Sequence, residues 1–331
     1  MDWSLIFDST IKAAVNKEAM VFALAAVGLN LHFGYTGLLN FGQAGFIAIG
    51  AYGAAISVEF YNWSLWAGLA SGLVFGIIFA LILGVPTLRL RSDYLAIVTI
   101  AFAEMIRFVV RSNRFTWFTG GSSGINGFSD DFYDLNPFDP GKKYGFGPLT
   151  FSGFELWPAV VGWTLVALCS VLVYLLIRSP WGRVLKSIRE DEDAARSLGK
   201  NVFVYKMQSL VLGGLFGVLA GFMSAVWTRS VQPDTFATAA TFFAYTCLIL
   251  GGVGRVKGPI IGSMIFLALL SFTDTFLRQA VANDLIPDSI MSGSQVGQTR
   301  FILMGVGLMA LMIFRPQGIF GNKRELELDA R

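Results

Sequence analysis

The sequence predicts an all-α fold: a polytopic helical membrane protein with eight to ten transmembrane helices. Three observations predict this class. Of the 331 residues, 54% are hydrophobic and only 14% are charged, whereas a soluble domain has about 25% charged residues. The uncharged residues are gathered into runs, and a bilayer-spanning helix needs about 20 residues. The 37 glycines show no period and there are only two cysteines, which excludes collagen-like and disulfide-scaffold proteins.

The N-terminal part of the chain contains the longest uncharged stretch. Positions 19–58 include no Asp, Glu, Lys or Arg, which is enough for two spans, and we place these at 12–31 and 41–57. The segment 34–45 between them is either an ordinary polar turn or the start of a half-helix that lines a pathway. Non-helical backbone survives at membrane depth only where protein or water satisfies it. Residues 1–10 contain no basic region of a cleaved signal peptide, so we expect the first helix to be retained.

The remaining spans follow in order, separated by charged loops. Most of the uncharged runs reach the length of one helix apiece, and two shorter ones reach it when they are extended into their polar flanks. One further segment is apolar apart from Glu104, Arg107 and Arg111. Glu104 and Arg107 lie three residues apart and can pair on one helix face, so Glu104 is either an internally neutralised charge or a pathway group. The segments are 60–88, 93–112, 156–177, 207–228, 235–254, 258–273 and 301–314.

Basic residues divide the loops into two sets. The first set carries 15 Lys and Arg in 57 positions and the second carries 7 in 82. The positive-inside rule therefore places the first set in the cytoplasm. This makes the tail 315–331 and the loop 178–206 cytoplasmic, and the loop 111–157 extracytoplasmic. The first set comprises 87–92, 178–206, 254–258 and 315–331; the second comprises 111–157, 229–236 and 274–300.

Several kinds of chemistry have no candidate residues. His32 is the single histidine, and Cys169 and Cys247 both fall inside predicted helices, so a His/Cys metal site is excluded. A Ser-His-Asp triad would have to use His32, which we expect to be a packed or interfacial side chain and not a catalyst. The chain has no G-x-x-x-x-G-K-[ST] phosphate loop. We therefore expect no catalytic residues, no ATP hydrolysis by this chain, and no metal or other cofactor. The bilayer is the expected environment, and no nucleic-acid partner is expected.

The loop 178–206 is the most charged part of the chain. Its acidic run 190–193 suits the start of a helix, where carboxylates meet unpaired N–H groups. Gly199 suits the position just after a helix, where φ is often positive. Together these signals predict a short helix from about Asp191 to Leu198. Four consecutive acids argue against a resting place on anionic lipid, so this helix is better suited to docking on another protein.

This loop resembles the coupling loop of permease subunits in ATP-binding-cassette importers. Asp193-Ala194-Ala195-x-x-x-Gly199 is similar to the E-A-A-x-x-x-G motif of those permeases, with Asp in place of Glu. Other stretches, in the same order along the chain, resemble the branched-chain amino acid permeases, and the segment from Leu88 to Thr99 resembles their LivM branch. The remaining stretches are 39–46, 50–52, 119–127 and 250–254.

The resemblance implies a heteromeric importer in the bacterial cytoplasmic (inner) membrane. The whole chain, 1–331, would be one transmembrane permease domain of the importer bundle. Its partners would be a second, LivH-like permease subunit, two cytoplasmic ATP-binding subunits and an extracytoplasmic substrate-binding protein. The resemblance also implies that Asp193, Ala194, Ala195 and Gly199 couple the chain to the ATPases. The Asp shortens the reach of the motif carboxylate by one methylene.

The substrate expected from the resemblance is a branched-chain or other neutral amino acid. Asn40, Gln43 and Thr99 are candidate pathway residues by polarity, together with Glu104. An importer for urea or short amides is the alternative within the same class. An ion-coupled carrier is a third reading, although such carriers usually have a deeper carboxylate. A membrane enzyme is the poorest reading, because His, Cys and deep carboxylates are scarce.

Overall fold

Long helices make up most of the computed structural model of this chain, which describes residues 1–90, 92–283, 295–315 and 317–321. Most of the predicted tail 315–331 and part of the predicted loop 274–300 lie outside the described residues. The helices are α1 Trp3–Val15, α2 Lys17–Leu29, α3 Gln43–Tyr61, α4 Leu65–Thr87, α5 Ser92–Arg111, α6 Thr116–Thr119, α7 Asp130–Asp134, α8 Gly153–Arg178, α9 Pro180–Glu190, α10 Glu192–Ser197, α11 Val202–Thr228, α12 Thr238–Gly251, α13 Gly258–Ala282 and α14 Val296–Phe314.

The bundle confirms the predicted polytopic, all-α class. Within the described residues, seven helices are long and apolar enough to cross a membrane, and the first of them is counted from Trp3 to Tyr35. Helix α12 is shorter, with 14 residues, and α5 is a 20-residue helix that contains charged side chains. Counting these two brings the number of bundle helices in the described part of the chain to nine.

The first span starts earlier than the predicted 12–31. The carboxylate of Asp2 accepts hydrogen bonds from the backbone N–H groups of Ser4 (3.0 Å) and Leu5 (3.2 Å) and so begins α1. The chain is extended at Asn16, whose side chain accepts from the N–H of Lys17 and begins α2. N-terminal capping of this kind satisfies donors that the helix itself leaves open.

Helix α11 lies at the centre of the bundle and packs against α2, α3 and α4. Glycines let its backbone touch that of α3. A Cβ atom at Gly50 would lie 2.0 Å from the carbonyl oxygen of Val218, and one at Gly221 would lie 1.8 Å from that of Ile47. Small residues of this kind are typical of close helix pairs in membranes.

The segment between α2 and α3 is a buried turn. Helix α2 continues as a π-helix, Asn30–Tyr35, and the chain then unwinds before α3 begins at Gln43. Leu38 donates its N–H to the carbonyl oxygen of His32 (2.9 Å), and Gly37 adopts a φ of +74°. Helix α3 has 19 residues, or about 28 Å at 1.5 Å per residue, so this is a turn between two spans.

The two ends of the bundle differ. The basic end consists of the loop 178–206, which contains α9 and α10, and the segment 252–257. The opposite end is covered by residues 112–152, and we call it the capped end. The strands are β1 Ile125–Asn126, β2 Lys143–Phe146, β3 Leu149–Ser152 and β4 Ser230–Val231. Strands β2 and β3 form an antiparallel hairpin at the capped end, and β1 pairs antiparallel with β4.

Candidate functional site: a short helix at the basic end and two buried helix starts

Helix α10 is built by local signals. The carboxylate of Asp191 accepts from the N–H groups of Asp193 and Ala194, both at 2.9 Å, so Asp191 begins the helix. The helix stops at Gly199, whose φ is +75°. The N–H of Lys200 then returns to the carbonyl oxygen of Ala195 (3.3 Å). The predicted helix is therefore present, with both of its predicted ends in place to within one residue.

The four predicted coupling residues divide into an exposed group and one anchor. Asp193, Ala194 and Gly199 are exposed. Ala195 is 2% exposed and packs with Ile188 on α9 and other apolar side chains of the loop. The motif thus has one face buried against the loop and another facing outward.

Two features of α10 have no counterpart in the sequence analysis. Glu192 forms an ion pair with Lys206 on α11, and Arg196 pairs with Glu192 at 2.7 Å and with Asp193 at 2.9 Å. Leu198 is 78% exposed, so an apolar side chain projects just beyond the helix. The spacing of four residues between Glu192 and Arg196 could have predicted their ion pair from the sequence.

The basic loop is joined to the buried turn. Arg189 on α9 donates a hydrogen bond from Nη1 to the carbonyl oxygen of Gly34 (2.6 Å). The ammonium group of Lys186 lies 6.0 Å from the ring centroid of Tyr35. The loop that carries α9 and α10 is therefore in direct contact with the end of the first span.

The candidate pathway residues Asn40 and Thr99 are buried at the turn, at 1% and 0% exposure. The Asn40 side chain contacts His32 Nδ1 (3.1 Å) and accepts from the N–H of Gly42 (2.9 Å). The hydroxyl of Thr99 accepts from the N–H of Phe41 (3.0 Å). These contacts satisfy unwound backbone inside the protein, as non-helical segments in a membrane require.

Gln43, the third polar candidate, is also buried. Its Nε2 donates to the carbonyl oxygens of Gly213 (3.2 Å) and Ala25 (3.4 Å). Its Oε1 has no hydrogen-bond partner among the described residues. The amide therefore joins α2, α3 and α11 at the start of α3.

Glu104 lies on α5, and its carboxylate reaches the start of α12. Its Oε1 accepts from both the N–H (3.1 Å) and the hydroxyl of Thr238. Its Oε2 accepts from Nε of Arg107 (2.7 Å), which is the predicted local pair. Arg107 and Arg111 both reach Asp234, at 3.1 and 2.9 Å. The carboxylate is thus neutralised locally, and it also supplies an acceptor to the first N–H of a short helix.

The described residues contain no group of three or more His, Cys, Asp or Glu side chains that could hold a metal ion. The candidate site consists of an exposed short helix, a contact from its loop to a buried turn, and two helix starts fixed by polar side chains.

Several known proteins are similar to this chain. Residues 14–313 match the family model described as the permease component of the branched-chain amino acid transport system. The high-affinity branched-chain amino acid transport system permease protein LivM of Escherichia coli (strain K12) is 31% identical over 314 residues, which cover 92% of this chain and 69% of the relative. LivM of Salmonella typhimurium is 30% identical over 315 residues, with the same coverage. The probable LivM of Methanocaldococcus jannaschii is 24% identical over 344 residues, which cover 92% and 91%.

Proposed function

Because the chain belongs to the family of branched-chain amino acid transport system permease components, we propose that it is the membrane-spanning permease subunit of an ATP-binding-cassette importer for branched-chain amino acids. It forms half of the translocation pathway and works with a second, LivH-like permease, two ATP-binding subunits and a substrate-binding protein. The chain itself hydrolyses no ATP.

The observation that carries this proposal is the geometry of α10. A short, capped helix that exposes the acidic side chain of Asp193 as well as the apolar side chain of Leu198 suits a groove on another protein better than it suits anionic lipid. The residues Asp193, Ala194 and Gly199 face outward, while Ala195 holds the helix to its loop. The contact from Arg189 to Gly34 links that loop to the buried turn before α3. ATP-driven movement of the ATPase pair would reach the spans along this route.

The basic end faces the cytoplasm in this proposal, and the membrane is the bacterial inner membrane. The excess of Lys and Arg in the short loops supports this orientation. The capped end then faces the binding protein, and the tail 315–331 is cytoplasmic. A cysteine introduced at Ser197 should react with membrane-impermeant reagents only after the cells are opened; labelling in intact cells would overturn the orientation.

The pathway is proposed to lie beside the starts of α3 and α12. Asn40, Gln43 and Thr99 fix the first of these starts, and Glu104 fixes the second. Because all four are engaged with other residues of the chain, their role is to hold the helix ends that border the pathway. Alternating access then consists of a shift between two arrangements of these ends, biased by the ATPases.

The deciding experiment is purification of the chain from its membrane in mild detergent. We expect an ATP-binding subunit to co-purify, and we expect the variant Leu198→Ser to lose it while the bundle stays folded. Val204, which is 40% exposed on α11, offers the control Val204→Ser. Absence of any nucleotide-binding subunit from the unaltered preparation would contradict the proposal.

Reconstituted uptake tests the substrate. With ATP inside the vesicles and the binding protein outside, we expect leucine uptake that valine competes for and that urea does not affect. The relatives described above favour this outcome over a urea importer. Uptake by the single chain without ATP, abolished by collapse of an ion gradient, would instead establish an ion-coupled carrier.

A further inference from the structure

A cavity of about 590 Å³ lies mainly between α1, α2, α12, α13 and α14, and α3 and α11 contribute one lining residue each. Cavities that bind small molecules usually have volumes of about 300–1,000 Å³. The walls include Asn16, where the chain breaks between α1 and α2, and Thr235, just before α12. None of the residues assigned above to coupling, or to the starts of α3 and α12, lines it, so it is a separate feature of the fold.

One wall of the cavity is aromatic. Phe243 on α12 is at its centre, with ring centroids 5.9 Å from Phe22, 5.9 Å from Phe266 and 5.7 Å from Phe301. All four rings line the cavity. Such a wall accepts an aliphatic side chain and gives it no hydrogen-bond partner.

The remaining walls carry charges of both signs. Lys17 and Glu18, in the first turn of α2, both line the cavity, and neither forms an ion pair within the described residues. On the other helices, Asp274 pairs with Arg300 at 3.1 Å and with Arg278 at 2.9 Å. Asp274 and Arg300 line the cavity, but Arg278 does not. The Nε donor of Arg300 is buried and has no hydrogen-bond partner among the described residues.

We infer that this cavity is a binding site for a zwitterionic amino acid with an aliphatic side chain. Its carboxylate binds Arg300, where a donor is open, and its ammonium group binds Glu18. The side chain lies against Phe243 and its neighbouring rings. The inference rests on the proposed function for the identity of the ligand.

An apolar cavity lined by basic residues could also hold an anionic phospholipid, but the acidic residues of the cavity disfavour that occupant. An anionic phospholipid would place its phosphate near the three basic lining residues, but Glu18 and Asp274 line the same cavity and would repel it. The basic lining residues are Lys12, which already pairs with Glu155 at 3.6 Å, Lys17 and Arg300. A zwitterion presents both signs and meets an opposite charge at each end. Charge-assisted hydrogen bonds of this kind are among the stronger polar contacts in proteins.

The test is equilibrium binding of radiolabelled L-leucine to the complete importer complex in lipid nanodiscs, without its binding protein and without ATP. We expect Glu18→Gln and Arg300→Gln each to weaken leucine binding roughly tenfold. Arg278→Gln is the matched control, because Arg278 pairs with the same Asp274 and does not line the cavity; it should bind leucine as the unaltered complex does.

Two leucine analogues assign the roles of the charged groups. N-acetyl-leucine lacks the ammonium group, and leucinamide lacks the carboxylate. In the unaltered complex both should bind more weakly than leucine. The ratio of the affinity for leucine to the affinity for N-acetyl-leucine should fall about tenfold in Glu18→Gln. The ratio of the affinity for leucine to the affinity for leucinamide should fall by the same factor in Arg300→Gln.

The possible results separate this inference from the proposed function. Leucine binding that is unchanged in Glu18→Gln and Arg300→Gln, or undetectable in the unaltered complex, overturns the inference, even if ATP-driven uptake is normal. A bound phospholipid found by native mass spectrometry, and lost in Arg300→Gln, overturns it as well. Failure of the unaltered importer to take up leucine with ATP and its binding protein contradicts the proposed function, whatever the binding experiment shows.

Discussion

Arg189 on α9 donates a hydrogen bond to the carbonyl oxygen of Gly34, at 2.6 Å, across 155 positions of sequence. Gly34 belongs to the last turn of the π-helix that ends the first span, where backbone carbonyl oxygens have no partner within the helix. The charged donor of the basic loop therefore stabilises the place where the first span stops being helical. This contact connects the loop that carries α10 to the bundle.

Replacement of Arg189 by Gln should uncouple ATP hydrolysis from uptake. A hydrogen bond from a charged group is worth about 1.5–3 kcal/mol, and the shorter, neutral Gln does not reach the same oxygen. In the reconstituted importer we expect ATP hydrolysis to continue while leucine uptake falls about tenfold. Arg183→Gln is the control, because Arg183 lies on the same helix and is exposed; equal uptake in the two variants would remove the assigned role from Arg189.

Local signals account for the features that the sequence predicted well. Helix α10 was expected because Asp191 and Gly199 act on backbone within a few residues of themselves. The pair of Glu104 with Arg107 was expected from a spacing of three residues. The overall class followed from uncharged runs of helical length, because a bilayer imposes that length on every span.

The features that the sequence did not predict depend on residues distant in the chain. Glu104 reaches Thr238 and Arg189 reaches Gly34 because the bundle brings their helices together. The periodicity of apolar residues within one helix does not predict contacts of this kind. The contacts of Asn40 are similar: polarity suggested a pathway residue, and only the structure shows that its side-chain oxygen accepts the N–H of Gly42 in the unwound turn.

Gly199 should tolerate Asn and should not tolerate Val. Its φ of +75° is costly for most side chains, by roughly 1–2 kcal/mol, and Asn adopts this conformation more readily than a β-branched residue. No atom lies within 4 Å of a Cβ atom built there, so the effect is conformational and not steric. We expect Gly199→Val to hydrolyse ATP without transport and Gly199→Asn to transport almost normally. Normal uptake by the Val variant would show that this cap has no part in coupling.

Loss of the Glu104 carboxylate should loosen the start of α12. In Glu104→Ala the N–H of Thr238 loses its acceptor, whereas in Glu104→Gln an amide oxygen can still accept. Hydrogen exchange followed by mass spectrometry should therefore show faster exchange around residues 236–241 in the Ala variant than in the Gln variant. Glu59→Ala, at an exposed position on α3, should leave this region unchanged. Equal protection in all three variants would mean that Glu104 does not hold this helix end.

Gly50→Ala should destabilise the bundle more than any alanine on its outer face. The added Cβ atom would meet the carbonyl oxygen of Val218 at 2.0 Å and its carbonyl carbon at 2.7 Å. Both are backbone atoms, so α3 and α11 must move apart, at a cost of about 1–3 kcal/mol. The measurement is the thermal midpoint of the purified chain in detergent, which should fall by several degrees. Gly305→Ala is the control, because nothing lies within 4 Å of a Cβ atom at that position and alanine is the better helix former. The thermal midpoint of this variant should stay the same or rise. An equal fall of the midpoint in both variants would mean that the close packing at Gly50 does not determine the stability of the bundle.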